Sequence, residues 1–157
     1  FANICVARID GLQARIPRPK KTSRAVEEQR WIAAVCVDAG GQWLLTRVSS
    51  GPILRKLWLP PIRMVDNGAD DEATVARELL PGFLDPEEAK ELTIAPSIRH
   101  SITYRRLTVV PHLFTFEKIE IPKKNGSWVV EIPGTEERPT STLLGKLMAS
   151  VEGAKEN

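Results

Sequence analysis

The stretch WIAAVCVDAGGQWLLTRV, residues 31–48, decides the fold class. Its first part, Trp31 to Val37, is a short and continuous apolar run, which is typical of a buried strand, and Trp43 to Val48 is a second candidate strand. The intervening Asp38-Ala39-Gly40-Gly41 is rich in glycine, so the two runs are predicted to form a β-hairpin. Cys36 lies inside the first run, where we expect a buried, unreactive thiol.

The segments after the hairpin alternate between strand and helix signals. Pro60-Pro61 is expected to stop regular pairing after the apolar residues Ile53-Leu54 and Leu57-Trp58-Leu59. Helices are predicted over residues 70–80, 86–92 and 140–151, from caps, Pro and Gly boundaries and apolar spacing. Strands are predicted over residues 98–102, 107–118 (interrupted near Pro111) and 128–132. This order predicts an α+β fold in which helices pack on a mixed sheet.

Composition indicates a single globular domain inside the cell. The chain has 157 residues, 42% of them hydrophobic and 27% charged, and no apolar run approaches the ~18 residues that would span a bilayer. We therefore expect no membrane partner. The two cysteines, Cys5 and Cys36, do not form a disulfide framework, which favours reducing conditions and a cytoplasmic, nucleoid-associated or otherwise intracellular location. The formal charge of +2 is small, but residues 15–24 contain five basic side chains and no acid, which suggests a basic arm.

The N-terminal region is expected to be part of a longer chain, because it opens on Phe1-Ala2-Asn3. Residues 1–16 allow a short helix ending near Gly11. Residues 17–23, with two prolines and two lysines, have the chemistry of an extended, solvated linker. Whether this linker is a plain tether or also touches DNA stays open at this point.

Residues 99–107, Arg-His-Ser-Ile-Thr-Tyr-Arg-Arg-Leu, join two predicted strands. The stretch gathers three arginines, one of the two histidines, two hydroxyls, an apolar side chain and the only tyrosine. A strand core does not need this mixture. It suits a loop that contacts both a polyanion and a base.

The run from Asn67-Gly68 to Arg77-Glu78-Leu79 resembles the signature of the Nudix family. In that family a glycine leads into a helix with the pattern Arg-Glu-aliphatic-x-Glu-Glu-x-Gly, whose carboxylates hold Mg²⁺ against a diphosphate. Here Leu80-Pro81-Gly82 stands where the two glutamates belong, and Pro81 is expected to end the helix. Nucleotide pyrophosphate hydrolysis is therefore not the expected activity. An ordinary amphipathic helix is the alternative interpretation of this run.

Four further segments, in this order, resemble the C-terminal domain of MutY-type adenine DNA glycosylases. Cys5, followed by Pro17 and Lys20-Lys21, is similar to the end of the family's iron–sulfur motif and its connector. Residues 53–60 are similar to Gly-Leu-Leu-x-Gly-Leu-Trp-Glu-Phe-Pro, one residue shorter and without the internal glycine. Residues 99–104 fall where the family has Lys-His-x-Phe-Ser/Thr-His, and residues 138–147 are similar to its terminal Pro…Arg-Lys-Leu helix.

The resemblance implies a Nudix-like mixed β-sheet flanked by helices. It implies that residues 1–29 end an iron–sulfur segment and form a basic interdomain connector, and that residues 30–157 form a lesion-recognition domain. Such a domain acts in base excision repair, where it reads 8-oxoguanine opposite misincorporated adenine in double-stranded DNA. The N-terminal catalytic domain of the parent chain, a DNA glycosylase, removes the adenine. No catalytic residue and no cofactor are expected in this fragment, and Cys5 would be one ligand of a 4Fe-4S cluster in the parent only.

Candidate roles follow from the resemblance and from side-chain chemistry. The Thr103 hydroxyl is the expected reader of the lesion, with Ile102 as an apolar wedge or, alternatively, a core residue. Tyr104 is expected to stack or to contact a phosphate. Ser101 and His100 complete the recognition set, although His100 suits a hydrogen-bonded turn equally. DNA phosphates are the expected partners of five cations, of which the Arg105-Arg106 pair is alternatively a solvated tip: Arg99, Arg105, Arg106, Lys20 and Lys21.

Two other functions remain open from the sequence. One is a stand-alone nucleoside diphosphate hydrolase with a displaced metal site that uses Glu72, Glu78, Glu87 or Glu88. The other is a protein-interaction module in which the basic arm docks a repair partner. His112, beside Pro111, is expected to be structural.

Overall fold

A computed structural model of the chain describes Gly11 and residues 24–51, 53–66, 71–122, 126–135 and 137–155. Within these residues one mixed sheet of eight strands carries two α-helices, which confirms the predicted α+β class. The strands are β1 (Glu27–Asp38), β2 (Trp43–Arg47), β3 (Trp58–Leu59), β4 (Ile62–Val65), β5 (Glu91–Ile94), β6 (Ile98–Ile102), β7 (Arg105–Phe116) and β8 (Trp128–Glu131). The helices are α1 (Glu72–Glu78) and α2 (Thr142–Lys155), and a 3₁₀ turn spans Pro86–Glu88.

The sheet is organised around two long strands, β1 and β7, which pair in parallel over 12 residues each. On the edge of β7 away from β1, β6 pairs antiparallel with the first half of β7 and β5 with the second half. The strands β6 and β7 form a hairpin. On the far edge of β1, β4 pairs with the first half, whereas β2 meets β1 only at Val37 and Trp43 and then diverges to pair with β3 and β8. This divergence opens a cleft between β1 and the end of β2.

Alternate residues of β1 and β7 enter two hydrophobic cores, one on each face of the sheet, as the two-residue repeat of a strand requires. Helix α2 covers one face through three fully or almost fully buried residues, Leu143, Leu147 and Val151. Helix α1 covers the other face with Val75 and Ala76. The Cys36 thiol is buried in this second core, as expected, and burial raises its pKa above its ordinary value.

Several predicted elements needed correction. The strand predicted over 107–118 is not interrupted at Pro111, because β7 continues through it. Pro60-Pro61 does not stop pairing, since β4 begins at Ile62 and the Pro61 carbonyl already accepts a hydrogen bond from Ala34 N. The helix predicted over 86–92 is a single 3₁₀ turn followed by the strand β5. Helix α1 ends at Glu78, within its predicted range.

Pro111 fits into the sheet because of the break between β5 and β6. The Pro111 carbonyl accepts a hydrogen bond from Ala95 N at 3.0 Å, and Ala95 lies between the end of β5 and the start of β6. In a strand the nitrogen and the carbonyl of one residue point to the same edge. The missing N–H of Pro111 therefore falls at this break and removes no hydrogen bond to β1.

The predicted short helix over residues 1–16 and the start of the predicted helix at Asp70 lie outside the described residues. Neither α1 nor α2 is both long enough and apolar enough to cross a membrane, and no other helix of the described ranges is.

Candidate nucleic-acid interface

Thr103 occupies the exposed end of the β6–β7 hairpin, at the first of the two residues between the strands. Its φ is 55°, in the left-handed region, where a β-branched residue is strained and where a two-residue turn favours glycine. The Thr103 Oγ1 donates a hydrogen bond to the Ile102 carbonyl at 2.7 Å. The hydroxyl hydrogen is therefore used within the turn, and the oxygen lone pairs remain available to accept from a ligand.

Tyr104, the second residue of the turn, makes cation–π contacts with two guanidinium groups. The Arg105 Cζ lies 4.5 Å from the centre of its ring and the Arg24 Cζ lies 5.2 Å from it. The Tyr104 carbonyl also accepts a hydrogen bond from Glu27 N at 3.0 Å. These contacts attach the hairpin tip to the start of β1.

The two arginines after the turn face carboxylates on β1. The parallel register places Arg105 opposite Glu27 and Arg106 opposite Glu28. The Arg105 Nε lies 3.1 Å from Glu27 Oε2 without hydrogen-bond geometry, and the side chain is only 17% exposed. The Arg106 Nη1 lies 3.4 Å from Glu28 Oε1 at an exposed position. Much of the positive charge that the sequence places at the tip is therefore neutralised locally.

The remaining tip residues divide between the two faces of β6. Ile102 and His100 are half-buried, and Ile102 packs against the core under α2. Burial, and then the charge of Lys146, lower the pKa of His100, so its ring is mainly neutral at pH 7. Arg99 and Ser101 are exposed on the alternate positions, and within the described residues the Arg99 guanidinium has no ion-pair partner.

A second strained loop connects β2 to β3. Among the described residues only three non-glycine residues have positive φ, and two of them, Leu54 at 62° and Lys56 at 66°, lie in this loop. Lys56 N donates to the Val48 carbonyl at 2.9 Å, and Val48 N donates to Leu57 at 3.0 Å, so the conformation is held by backbone hydrogen bonds. Lys56 stands where the segment that residues 53–60 resemble has its internal glycine, and its positive φ is one that glycine adopts without strain.

The cleft between β1 and the end of β2 contains a cavity of about 280 Å³ beside this loop. Its walls include the two tryptophans Trp31 and Trp128 together with Thr46, Ser49 and Leu54. An adjoining concavity of about 340 Å³ is lined by Arg47, Val48, Ser49, Arg55, Lys56 and Ser127. These residues were not predicted as a site from the sequence. The signal that marks them is the pair Arg55-Lys56, which puts two cations where the similar segment has x-Gly.

The carboxylates of α1 are bound to arginines of the sheet. The Arg30 Nε lies 2.5 Å from Glu72 Oε1, and the Arg63 Nη2 lies 2.8 Å from Glu78 Oε2. Leu80, which follows the helix, is buried in the core. Within the described residues, no three His, Cys, Asp or Glu side chains come together as a candidate metal site.

His112 is fully buried below α1, and neither ring nitrogen has a hydrogen-bond partner among the described residues. Burial lowers its pKa below the ordinary value, and the nearby Glu72 and Asp71 oppose this shift in part. The structural role expected for His112 fits this position. Cys5, Lys20 and Lys21 lie outside the described residues.

Known structures share this architecture. The C-terminal domain of mouse MUTYH, solved in complex with human PCNA, is similar with a TM-score of 0.63 and 15% sequence identity, over 83% of this chain and 92% of that one. The MutT NUDIX hydrolase from Burkholderia pseudomallei gives 0.59 and 13%, over 80% and 98%. The NUDIX domain of Shewanella oneidensis NrtR, complexed with ADP ribose, gives 0.56 and 13%, over 92% and 97%.

No protein-family model matches the sequence, and no curated protein matches it. At 13–15% identity the likeness to solved structures is a likeness of fold. The mixed sheet with one helix on each face and the agreement of these structures lead to one statement of identity: the chain has a Nudix-like α+β fold.

Proposed function

We propose that this chain is the recognition domain of an adenine DNA glycosylase, which reads 8-oxoguanine opposite misincorporated adenine and performs no catalysis itself. The observation that carries the proposal is the position of Thr103, a strained non-glycine residue at the exposed end of a hairpin. Strain of this kind costs about 1–2 kcal/mol, and strained residues are concentrated at functional sites. The MUTYH neighbour supports the proposal through its fold and its name.

The hydrogen bond inside the turn makes the chemistry selective. Guanine N7 is an acceptor, whereas N7 of 8-oxoguanine carries a hydrogen and is a donor. Because the Thr103 hydroxyl hydrogen is directed to the Ile102 carbonyl, its oxygen faces a ligand as an acceptor. That oxygen complements the N7–H of the lesion and opposes the lone pair of undamaged guanine.

The neighbouring residues support the reader in this proposal. Ile102 is held partly in the core and presses against the base stack with its remaining surface, and Tyr104, whose ring contacts two guanidinium groups, contacts the DNA. Ser101 and His100 position the strand. Phosphate contacts come from Arg99, which has no ion-pair partner among the described residues, and, more weakly, from Arg105 and Arg106, whose charges are already shared with glutamates.

The basic connector residues Lys20 and Lys21 contribute further phosphate contacts, and Cys5 ligates a 4Fe-4S cluster in the parent chain. Residues 1–29 then act as the connector from the N-terminal catalytic domain, and residues 30–157 as the recognition domain.

The experiment compares two substitutions at the reader. Thr103→Val removes the hydroxyl and keeps the branched shape, and Thr103→Ser keeps the hydroxyl. Binding of the 157-residue chain is measured on matched duplexes with 8-oxoguanine:adenine or guanine:adenine. We expect Thr103→Val to lose about 1–3 kcal/mol of preference for the lesion and Thr103→Ser to retain it. Equal effects of Thr103→Val on both duplexes would refute the proposal.

A nucleoside diphosphate hydrolase is the second candidate, favoured by the cavity of about 280 Å³ with Trp31 and Trp128 in its walls. Its carboxylates would have to leave their present partners, since Glu72 and Glu78 are paired with arginines. Mg²⁺-dependent turnover of 8-oxo-dGTP that is lost in Glu78→Gln would establish this function in place of lesion reading.

A protein-interaction role is the third candidate, and the MUTYH domain in complex with PCNA is its precedent. Deletion of residues 15–24 tests it. Loss of a repair partner with unchanged DNA binding would favour this role over the recognition of damage.

A further inference from the structure

The cationic concavity beside the β2–β3 loop has the features of an anion site. Its lining contains three cations, Arg47, Arg55 and Lys56, and two hydroxyl side chains, Ser49 and Ser127, and no acidic residue of the described ranges lines it. None of the three cations has an ion-pair partner in the described part of the chain. Arg105 and Arg106 differ from these three cations, because each lies close to a glutamate of β1.

The backbone holds this site in a conformation that side chains do not favour. Lys56 has a φ of 66°, a left-handed value at which an L-residue other than glycine is strained. Lys56 N donates a hydrogen bond to the Val48 carbonyl, and Val48 N donates one to the carbonyl of the next residue, Leu57. Arg47 N donates to the Ser127 carbonyl at 3.1 Å, which joins the opposite wall of the concavity to the same strand end. Glycine would adopt the same conformation without strain. The strain is therefore the cost of having a lysine side chain at this position.

We infer that Arg47, Arg55 and Lys56 form a binding site for the phosphate groups of a nucleic-acid backbone. Cations without an acidic neighbour, with hydroxyl groups beside them, are ordinary partners of backbone phosphates, and such contacts carry no sequence information. The inference does not rest on lesion reading by Thr103. The phosphate site predicts equal affinity changes on damaged and undamaged duplexes, whereas the reader predicts a change in their ratio.

The test uses the whole 157-residue chain and a fluorescein-labelled duplex in a salt titration. Arg55→Gln and Lys56→Gln each remove one charge from the site, and Arg77→Gln removes one from the exposed surface of α1 as the matched control. If each side chain neutralises one phosphate, each substitution flattens the slope of log K against log[salt] by about 0.9 and weakens binding about tenfold at 50 mM salt. The control is expected to leave both nearly unchanged.

Lys56→Gly separates folding from binding. It removes the charge and the strain together, so the chain is expected to keep or gain resistance to urea while it loses the same phosphate contact as Lys56→Gln. Equal losses for Arg77→Gln and the site variants would overturn the inference, because binding would then follow net charge alone.

The free phosphate group is the other source of the same chemistry. Titrations of the ¹⁵N-labelled chain with the duplex, with inorganic phosphate and with AMP distinguish the two. Shifts of the Arg55, Lys56 and Ser127 amides with the duplex support the inference. Shifts with phosphate or AMP, and none with the duplex, would overturn the assignment to nucleic acid.

Discussion

Thr103→Gly provides the sharpest test of the hairpin tip, because it has opposite consequences for stability and for recognition. The left-handed φ of 55° costs threonine about 1–2 kcal/mol, which glycine avoids. Against this gain, the flexible glycine raises the entropy of the unfolded chain by an equivalent of about 0.4–1 kcal/mol. The exposed hydrogen bond from Thr103 Oγ1 to the Ile102 carbonyl is lost as well, at about 0.5 kcal/mol.

These terms leave the free energy of unfolding between about 0.5 kcal/mol lower and about 1 kcal/mol higher. Recognition moves the other way, because the acceptor oxygen is gone. The preference for 8-oxoguanine over guanine should fall by about 1–3 kcal/mol, a factor of about 5 to 150. Urea unfolding at constant slope measures the first quantity, and parallel titrations of the two duplexes measure the second.

Two results would refute this reasoning. A loss of more than about 1 kcal/mol of stability would mean that Thr103 is not strained in solution or that its side chain packs elsewhere. An unchanged ratio of the two affinities in a chain of normal stability would mean that its hydroxyl does not read the lesion.

Three further predictions concern residues around the sheet. Glu27→Gln should release Arg105 to contact a phosphate and steepen the salt dependence of DNA binding by up to about 0.9, and an unchanged slope would leave Arg105 a structural residue. His112 has a lowered folded pKa, so the unfolded chain binds more protons below about pH 6.5, and stability should fall on acidification by up to about 1.4 kcal/mol per pH unit. His112→Leu should remove that part of the slope between pH 7.5 and pH 5.5 in urea unfolding. Phe114→Ala should cost about 3–5 kcal/mol of stability, measured in the same way, because Phe114 is 1% exposed.

The elements that could be predicted are those that are indicated by residues close together in the sequence. The β1–β2 hairpin follows from two apolar runs around a Gly-Gly turn, and both are present. The strand β5 was not predicted, because Pro86 indicated a helix over residues 86–92. A proline in a first helical turn can equally begin a short 3₁₀ turn, which is what forms here. The continuity of β7 through Pro111 depends on the break between β5 and β6, and no local pattern reports which edge of a strand a missing N–H will face.

The charge balance of the tip could not be predicted for the same reason. Arg105-Arg106 is a basic pair in the sequence, and its neutralisation depends on the parallel register that brings Glu27 and Glu28 from 78 residues away. In contrast, the cations of the β2–β3 loop have no such neighbours in the described residues. From the sequence alone, Arg105-Arg106 is the predicted phosphate contact. In the folded chain, the cations of the β2–β3 loop are the ones without an acidic neighbour among the described residues.

The hairpin tip and the β2–β3 loop share one property, which is strained backbone at non-glycine residues. Thr103, Leu54 and Lys56 each hold a backbone conformation that glycine would adopt at lower cost, and together they cost roughly 3–6 kcal/mol. A domain of this size is stable by only about 5–15 kcal/mol, so this is a substantial share to leave in two surface loops. Folding alone gives no reason to keep a hydroxyl and an ammonium group there. A contact with a ligand does, because the strained backbone fixes where each of those side chains begins and so reduces the entropy lost when it binds. If so, glycine at position 56 or 103 should stabilise the chain or leave it unchanged, and each should remove its own part of the interaction with DNA.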